Sequence, residues 1–496
     1  MTASPIPSIP VLSPDDALAL ETGLFGGDER KEWKAMVAAG RSVAHAVLQD
    51  FGEVGGFPPG GRILVLAGKG NNTGDALVAA REILEGHPQA EADVLFAFGP
   101  RRLKPLAARA WRGLSEAARG RVRSVTAAGE SYDLCLCGII GFRYRPPLPP
   151  EASAAIQASE RCAVRLRAAV DLPTGWGEAV AFRADFTYAT GSVKAPLIGC
   201  ANAGRPRYLD LGFFAEGAGE GSADRVILSS ILRPLSGLRS ASSDKRSQGH
   251  LFIVAGSGSY PGAAMMATLS ALKSGVGLVT AFVPRSLVPE FASRAPEAIW
   301  MGMPETPGGG LARGGLDLVM GAIGRASALV MGPGLGRDPE TQALAMDIAG
   351  ASSVPLVIDA DALQPGIVRA GTIPRIVTPH AGEFARIAQG AGLRELPSAI
   401  HGVVIRKGPV TAVCGGGPIY HSFFGGPVLS RGGSGDLLAG LVGGLLAQTP
   451  SDPLLAACRG AVWHGMAADQ LARADGQTAV RTLQLLDFLG PALREV

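Results

Sequence analysis

The chain has 496 residues, enough for two or three domains, and its 47% hydrophobic content suits large cores and excludes a disordered polymer. A net charge of +3 leaves no electrostatic basis for nucleic-acid binding, and six scattered cysteines without a CxxC pair argue against zinc and against a disulfide framework. The opening residues lack a basic segment followed by an apolar run, and no apolar run approaches the ~18 residues of a membrane span, so a soluble cytoplasmic protein is expected, with no membrane partner.

Two halves alternate short apolar strands with helical stretches, a βαβ rhythm that predicts an α/β chain with two doubly wound parallel sheets. In the first half, 1–215, a helix is predicted over 34–47 and a strand over 62–67. The loop Gly68-Lys69-Gly70-Asn71-Asn72-Thr73-Gly74-Asp75 follows, then a helix from about 75 to 84. Further strands are predicted at 93–98, 133–139 and 168–171; the second puts Cys135 and Cys137 on one face. The loop is not a P-loop, because no Gly-Lys-Ser/Thr follows at the required spacing. Asn71, Asn72 and Asp75 suit a sugar, a hydroxyl or a cation; the alternative is an Asn/Gly turn with Asp75 as helix cap. Asp171, in Asp171-Leu172-Pro173-Thr174-Gly175, is a second strand-end carboxylate with the same alternative.

A Gly/Ala/Glu-rich stretch at 216–224 reads as a linker, and 236–248 is a second low-order stretch, rich in serine and charge. The second half, 225–496, has predicted strands at 251–255, 278–283, 328–331, 356–359, 375–378 and 403–405, and a hairpin of 411–414 with 418–423. Loops rich in glycine or charged residues end most of these strands, where open α/β sheets bind ligands. They are Gly256 to Ala263, Gly332 to Gly336, Asp359 to Ala362, Thr378 to Glu383 and Lys407-Gly408. A lysine between an apolar strand and a glycine suits a phosphate as a point charge. His380 is either a structural histidine or a ligand contact, and its strand-end place beside Pro379 and Gly382 favours contact. Asp359 and Asp361 either cap a helix or help to hold Mg²⁺ near phosphates.

The most informative stretch is Arg431-Gly432-Gly433-Ser434-Gly435-Asp436. A glycine loop runs into a helix whose apolar pairs, Leu437/Leu438, Leu441/Val442 and Leu445/Leu446, keep helical spacing. Gly440, Gly443 and Gly444 permit close packing of that helix. Backbone N–H groups and the helix dipole favour an anion there. A carboxylate at such a junction suits the removal of a proton from a hydroxyl that attacks phosphorus.

This stretch resembles the glycine–aspartate loop of ribokinase-like proteins. With Ser259-Tyr260-Pro261-Gly262-Ala263, Gly332-Pro333-Gly334-Leu335-Gly336, Asp359-Ala360-Asp361, Thr378-Pro379-His380-Ala381-Gly382-Glu383, Lys407-Gly408 and the His464 segment 461–465, residues 225–496 resemble the NAD(P)H-hydrate dehydratases. One departure is Asp244-Lys245-Arg246, where that family usually has His-Lys-Gly. The resemblance implies a ribokinase-like fold and a nucleotide-dependent dehydration of (6S)-NAD(P)H hydrate. Asp436 would act as base on the ring hydroxyl. Lys407, Gly408, Thr411, Gly432, Gly433, Ser434 and Gly435 would hold the nucleotide, and Ala263, Gly334, His380 and Asp436 the hydrate. ADP is the expected donor, with ATP the alternative and Mg²⁺ as companion ion. A small-molecule kinase and a nucleotide-binding sensor are the competing readings, and a homo-oligomer is the expected assembly.

The first half, from 35 to 212, resembles the NAD(P)H-hydrate epimerase domain, which implies a Rossmann-like three-layer fold. Asn71, Asn72, Asp75 and Asp171 would bind the hydrate, and Asn72 and Thr174 a potassium ion. Thr73 and Ala76 stand where that family has glycines, and Cys137 where it has a cation-binding aspartate. Arg143 and Arg145 occupy the loop after that strand. Two readings stay open for this half: a working epimerase with an altered cation site, or a degenerate domain in which bulk at Thr73 blocks backbone approach.

Overall fold

The computed structural model describes residues 6–215, 219 and 221–496. Within the expected linker, 216–218 and 220 lie outside the described residues, and its last residue opens the strand Asp224–Ile227. The chain forms two compact units. One contains Ile9–Glu220 and takes in Ala472–Gln477; the other contains Gly221–Leu471 and Thr478–Val496. Among the described residues no helix is long and apolar enough to cross a membrane.

The first unit is built on a seven-stranded sheet. Its order is Val122–Val125, Glu91–Phe96, Arg62–Ala67, Ser131–Gly138, Ala163–Val170, Phe186–Thr190, Arg205–Leu209, and every pairing is parallel. Alternation decides the layers, because successive strand residues face opposite sides. Ile63, Val65, Ala67, Leu134 and Leu136 join one core with residues of the helices Glu29–Asp50, Asn71–Gly86 and Pro105–Ala117. Leu64, Leu66, Cys135 and Cys137 join another with Ala152, Ala155 and Ile156 of the helix Pro150–Glu160. The three-layer arrangement and the shared face of the two cysteines follow the sequence expectation. The loop-to-helix boundary does not. The helix begins at Asn71 with Gly70 as its N-cap, so Asn71 and Asn72 lie in its first turn and Asp75 one turn further in. Asp75 therefore caps nothing.

In the second unit ten strands run in the order Ile299–Met303, Leu278–Pro284, His250–Val254, Ala328–Met331, Leu356–Ile358, Arg375–Val377, Gly402–Arg406, Thr411–Cys414, Ile419–Ser422, Asp224–Ile227. The first seven are parallel, and the expected hairpin supplies two antiparallel pairings. Phe252, Val254, Leu329, Met331, Leu356 and Ile358 face a core shared with Leu344 and Ile348 of the helix Pro339–Ala351 and Ile387 of the helix Ala381–Ala388. On the other face the helix Ser434–Gln448 lies against the sheet, and a Cβ added to Gly443 would meet Val330 Cγ2 at 2.2 Å. At Gly440 an added Cβ would sit 2.0 Å from Ala267 O in the helix Pro261–Lys273. Backbone cannot retreat as a side-chain tip can. Gly440→Ala is therefore expected to destabilise the second unit by about 1–3 kcal/mol, the range for overpacking a tight contact, measured as a lowered denaturation midpoint for that unit.

Candidate active sites

Parallel pairing ends neighbouring strands at one edge, so the loops after His250–Val254, Ala328–Met331, Leu356–Ile358, Arg375–Val377 and Gly402–Arg406 stand side by side in that order. A Cβ added at Gly334 would lie 2.8 Å from Ala263 Cβ, so these two expected hydrate contacts are neighbours. Gly433 is the N-cap of the helix carrying Asp436, with φ 91 and its α-carbon against Met266 of the Ala263 helix. Only glycine takes that conformation without strain.

Asp359 is the centre of the polar cluster. It is buried, and its Oδ1 accepts from Thr378 Oγ1 at 2.6 Å and from Lys407 Nζ at 3.1 Å. Its side chain makes no helix cap, and Asp361 Oδ2 accepts from Gly336 N at 2.9 Å. A Cβ on Gly435 would sit 3.2 Å from Lys407 Nζ and 3.6 Å from Asp359 Oδ2, so the lysine reaches the glycine loop. Asp436 lies in the first turn after that loop. Burial, with Asp359 and Asp361 adding and Lys407 opposing, pushes its carboxyl up to about 7. A carboxyl poised near neutrality is suited to general-base work. His464 is buried nearby; burial and the Lys407 charge push it down to about 4, and its Nε2 has no hydrogen-bond partner.

His380 has a structural role. Its Nδ1 accepts from Gly382 N at 3.0 Å and Glu383 N at 3.4 Å, and Glu383 Oε2 accepts from His380 N at 2.9 Å. This capping box satisfies the free N–H groups at the start of the helix. The ring remains exposed. Thr411 opens the first strand of the hairpin. Among the described residues no hydrogen bond joins Thr411 or His380 to the Asp359 cluster.

The first unit contains a cavity of about 470 Å³ lined by all four residues expected there, Asn71, Asn72, Asp75 and Asp171, together with Glu21 and Lys194. Asp171 has φ 67, a left-handed conformation that aspartate tolerates better than most residues. Its Oδ1 accepts from the buried Lys194 Nζ at 2.5 Å and its Oδ2 from Phe142 N at 3.2 Å, so it does not close a capped turn. Burial, then Asp171 and Glu21, hold the Asp75 carboxyl well above the usual range, with Lys194 opposing. Burial also raises Glu21, against the pull of Lys194. Both side-chain atoms of the Asn72 amide are buried without a partner.

The departures from the epimerase pattern resolve differently from one another. Thr73 is fully buried and turns inward: its hydroxyl accepts from Gly68 N at 2.7 Å and donates to Gly138 O at 2.7 Å. It lies in helix and braces the loop, so the expected obstruction does not occur. Ala76 is buried against Gly138. Thr174 is the residue that departs from expectation. Its hydroxyl donates to Ile140 O at 2.9 Å and accepts from Ile140 N at 3.1 Å and from Cys137 Sγ at 3.4 Å. That fills its one donor and two acceptor positions. Burial pushes the Cys137 thiol up, so it stays neutral. This donor set does not fit a potassium ion. Sequence reasoning gave no role to Glu21 or Lys194. Lys194 lies in the two-residue strand Val193–Lys194 and lacks the apolar run and following glycine that marked Lys407. Glu21 carried no signal either.

The model of the NAD(P)H-hydrate dehydratase family matches residues 251–490, and that of the YjeF-related protein N-terminus matches residues 34–195. A bifunctional NAD(P)H-hydrate repair enzyme of Gloeobacter violaceus is 36% identical over 485 residues, covering 91% of this chain and 92% of that protein. One from Moorella thermoacetica is 33% identical over 474 residues, covering 88% of each. An ADP/ATP-dependent NAD(P)H-hydrate dehydratase from Bacillus subtilis, co-crystallised with ATP/Mg²⁺, is 26% identical with a TM-score of 0.46, covering 54% of this chain and 97% of that one. Two α/β units, each with a polar cluster at the carboxyl edge of a parallel sheet, thus define a two-site chain. It belongs to the family of bifunctional NAD(P)H-hydrate repair enzymes.

The raised Asp436 carboxyl has a stability consequence. Its folded value, about 7, exceeds the ordinary 3.8, so its contribution is fully favourable below the unfolded value and is lost as pH rises through 7. Asp436→Asn is expected to stabilise the second unit by about 1–3 kcal/mol at pH 8, with the gain fading towards pH 4, as read by denaturant titration at both pH values.

Proposed function

We propose that this chain repairs hydrated nicotinamide cofactors, with dehydration of (6S)-NADH or (6S)-NADPH hydrate at the Asp436 site of the second unit. The observation that carries the chemistry is the carboxyl at about 7 in the first turn after a glycine loop that Lys407 reaches. Membership of the repair family supports the choice of substrate. Asp436 takes the proton of the ring hydroxyl, and the oxygen attacks the terminal phosphorus of ADP or ATP. The nucleotide leaves one phosphate shorter. Phosphate then departs from the ring carbon with loss of a neighbouring ring proton, and the double bond of the reduced cofactor returns. Lys407 offsets charge on the transferred group, and the N–H groups around Gly432 to Gly435 with the helix dipole favour it there. Gly408 and Thr411 complete the nucleotide side, and Ala263, Gly334 and His380 the hydrate side.

Magnesium fits as a companion of the nucleotide phosphates. Among the described residues no group of three or more His, Cys, Asp and Glu side chains is arranged for a metal. Asp359 and Asp361 are the carboxylates near Asp436, which suits an ion that keeps several waters and takes one or two carboxylates plus phosphate oxygens. Bound there, it supplies neutralisation of charge on the phosphates.

Two measurements test this reading. Asp436→Asn should lower nucleotide-dependent recovery of reduced-nicotinamide absorbance by at least about a thousandfold while nucleotide binding by calorimetry stays within about threefold. Full turnover in that variant would remove Asp436 as base. A base acts ionised, so turnover should fall about tenfold per pH unit below about pH 7. A stable phosphorylated product in place of free phosphate would favour a small-molecule kinase.

A further inference from the structure

The first-unit cavity holds a fixed positive charge of its own. Lys194 is buried, and its Nζ is bonded to Asp171 Oδ1 at 2.5 Å and Ser192 O at 3.3 Å and lies 5.0 Å from the centre of the Phe142 ring. Asp171 Oδ2 lies 2.9 Å and Asn72 Cγ 3.2 Å from where a Cβ on Gly141 would stand. Asn72, Asp171 and Lys194 thus meet at one wall of the cavity, around the Gly141 backbone.

The unpartnered Asn72 amide sets what the wall can take. An alkali cation would satisfy its Oδ1 only and leave the Nδ2 protons without an acceptor. A carboxamide or a ring hydroxyl answers both ends, donating to Oδ1 and accepting from Nδ2. The other potassium donors implied by family resemblance are spent or changed: the Thr174 hydroxyl is saturated, and a thiol stands at position 137. A thiol is a poor ligand for a hard cation.

We propose that the first unit interconverts the epimers of the hydrated nicotinamide without an alkali cation, with Lys194 as the built-in positive charge that positions Asp171 and Asn72 contacting the carboxamide or ring hydroxyl. This rests on the repair reading of the chain. Asp75, whose carboxyl burial, Asp171 and Glu21 push well above the ordinary value, lines the same cavity and is placed to exchange a proton with the ring.

The full-length protein tests it. Pure (6R) hydrate is supplied without nucleotide, and appearance of the (6S) epimer is followed by chromatography in potassium chloride and in tetramethylammonium chloride at equal ionic strength. Interconversion above the uncatalysed rate and within about twofold in the two salts is expected, because the Thr174 hydroxyl is fully bonded and the thiol at Cys137 is a poor ligand for a hard cation. Stimulation by potassium of about tenfold or more, or no catalysed interconversion in either salt, would overturn the proposal. Thermal unfolding gives a second readout. The wild-type chain should show no potassium-specific rise in melting temperature, whereas Cys137→Asp should gain one, since a carboxylate buried beside Thr174 needs a counter-charge. A potassium-specific rise in the wild type would also count against it. Lys194→Met should slow interconversion at least about tenfold and Lys194→Arg should restore much of it, with dehydration of the (6S) epimer by the second unit unchanged within about twofold. Equal rates in Lys194→Met and wild type would remove Lys194 from the site. Dehydration of (6S) hydrate with nucleotide, run in parallel, separates failure of this proposal from failure of the repair reading.

Discussion

In each unit a lysine is held by an aspartate at the carboxyl edge of a parallel sheet, Lys407 by Asp359 and Lys194 by Asp171. Both aspartates are buried, and a buried ion pair offsets its desolvation only when further hydrogen bonds satisfy the charges. Thr378 Oγ1 supplies that bond to Asp359, and Phe142 N supplies it to Asp171. The result is an ammonium group fixed at each ligand-facing edge. Its charge pulls down the pKa of a further carboxyl, Asp436 in one unit and Asp75 in the other, yet burial and neighbouring carboxylates outweigh it and both values rise.

The two sites use this arrangement differently. Around Asp436 the lysine reaches the glycine loop, so positive charge, helix N-terminus and a carboxyl near neutrality converge where a phosphoryl group and a hydroxyl can meet. In the first unit the lysine is almost wholly buried and pairs with Asp171 in the wall of a cavity. Its neighbours are an unpartnered amide and two carboxyls of raised pKa. That surrounding suits a polar ring and its proton exchange better than a phosphate.

The departures from family pattern show why a residue change cannot be weighed without its surroundings. Thr73 replaces a glycine, and from the sequence its bulk threatens the ligand. In the fold it sits in the first turn of Asn71–Gly86, and its hydroxyl ties Gly68 to Gly138 behind the cavity. Cys137 also lies behind the cavity, and its thiol completes the hydrogen bonding of Thr174. One substitution braces the loop and the other bonds to Thr174, and the cavity persists with both.

Local pattern alone determined much of this protein. Strand periodicity placed most of the parallel strands, because a buried strand needs a short apolar run. The strand-end loops were legible because glycine, lysine and aspartate are abnormal neighbours for such a run. The short strands Phe186–Thr190, Arg205–Leu209 and Ile299–Met303 escaped because they carry polar residues or lie at or near a sheet edge. The helix start at Asn71 was misplaced because Gly70 caps it without a side-chain bond that the sequence would advertise. Only tertiary structure decided which groups share an environment. Asp359 and Lys407 lie far apart in sequence, as do Glu21, Asp75, Asp171 and Lys194, and pKa depends on distances through space and on burial. The sequence therefore singled out Asp436 and Asp171, while the fold alone set Asp359 and Lys407 near the first and Lys194 and Phe142 against the second.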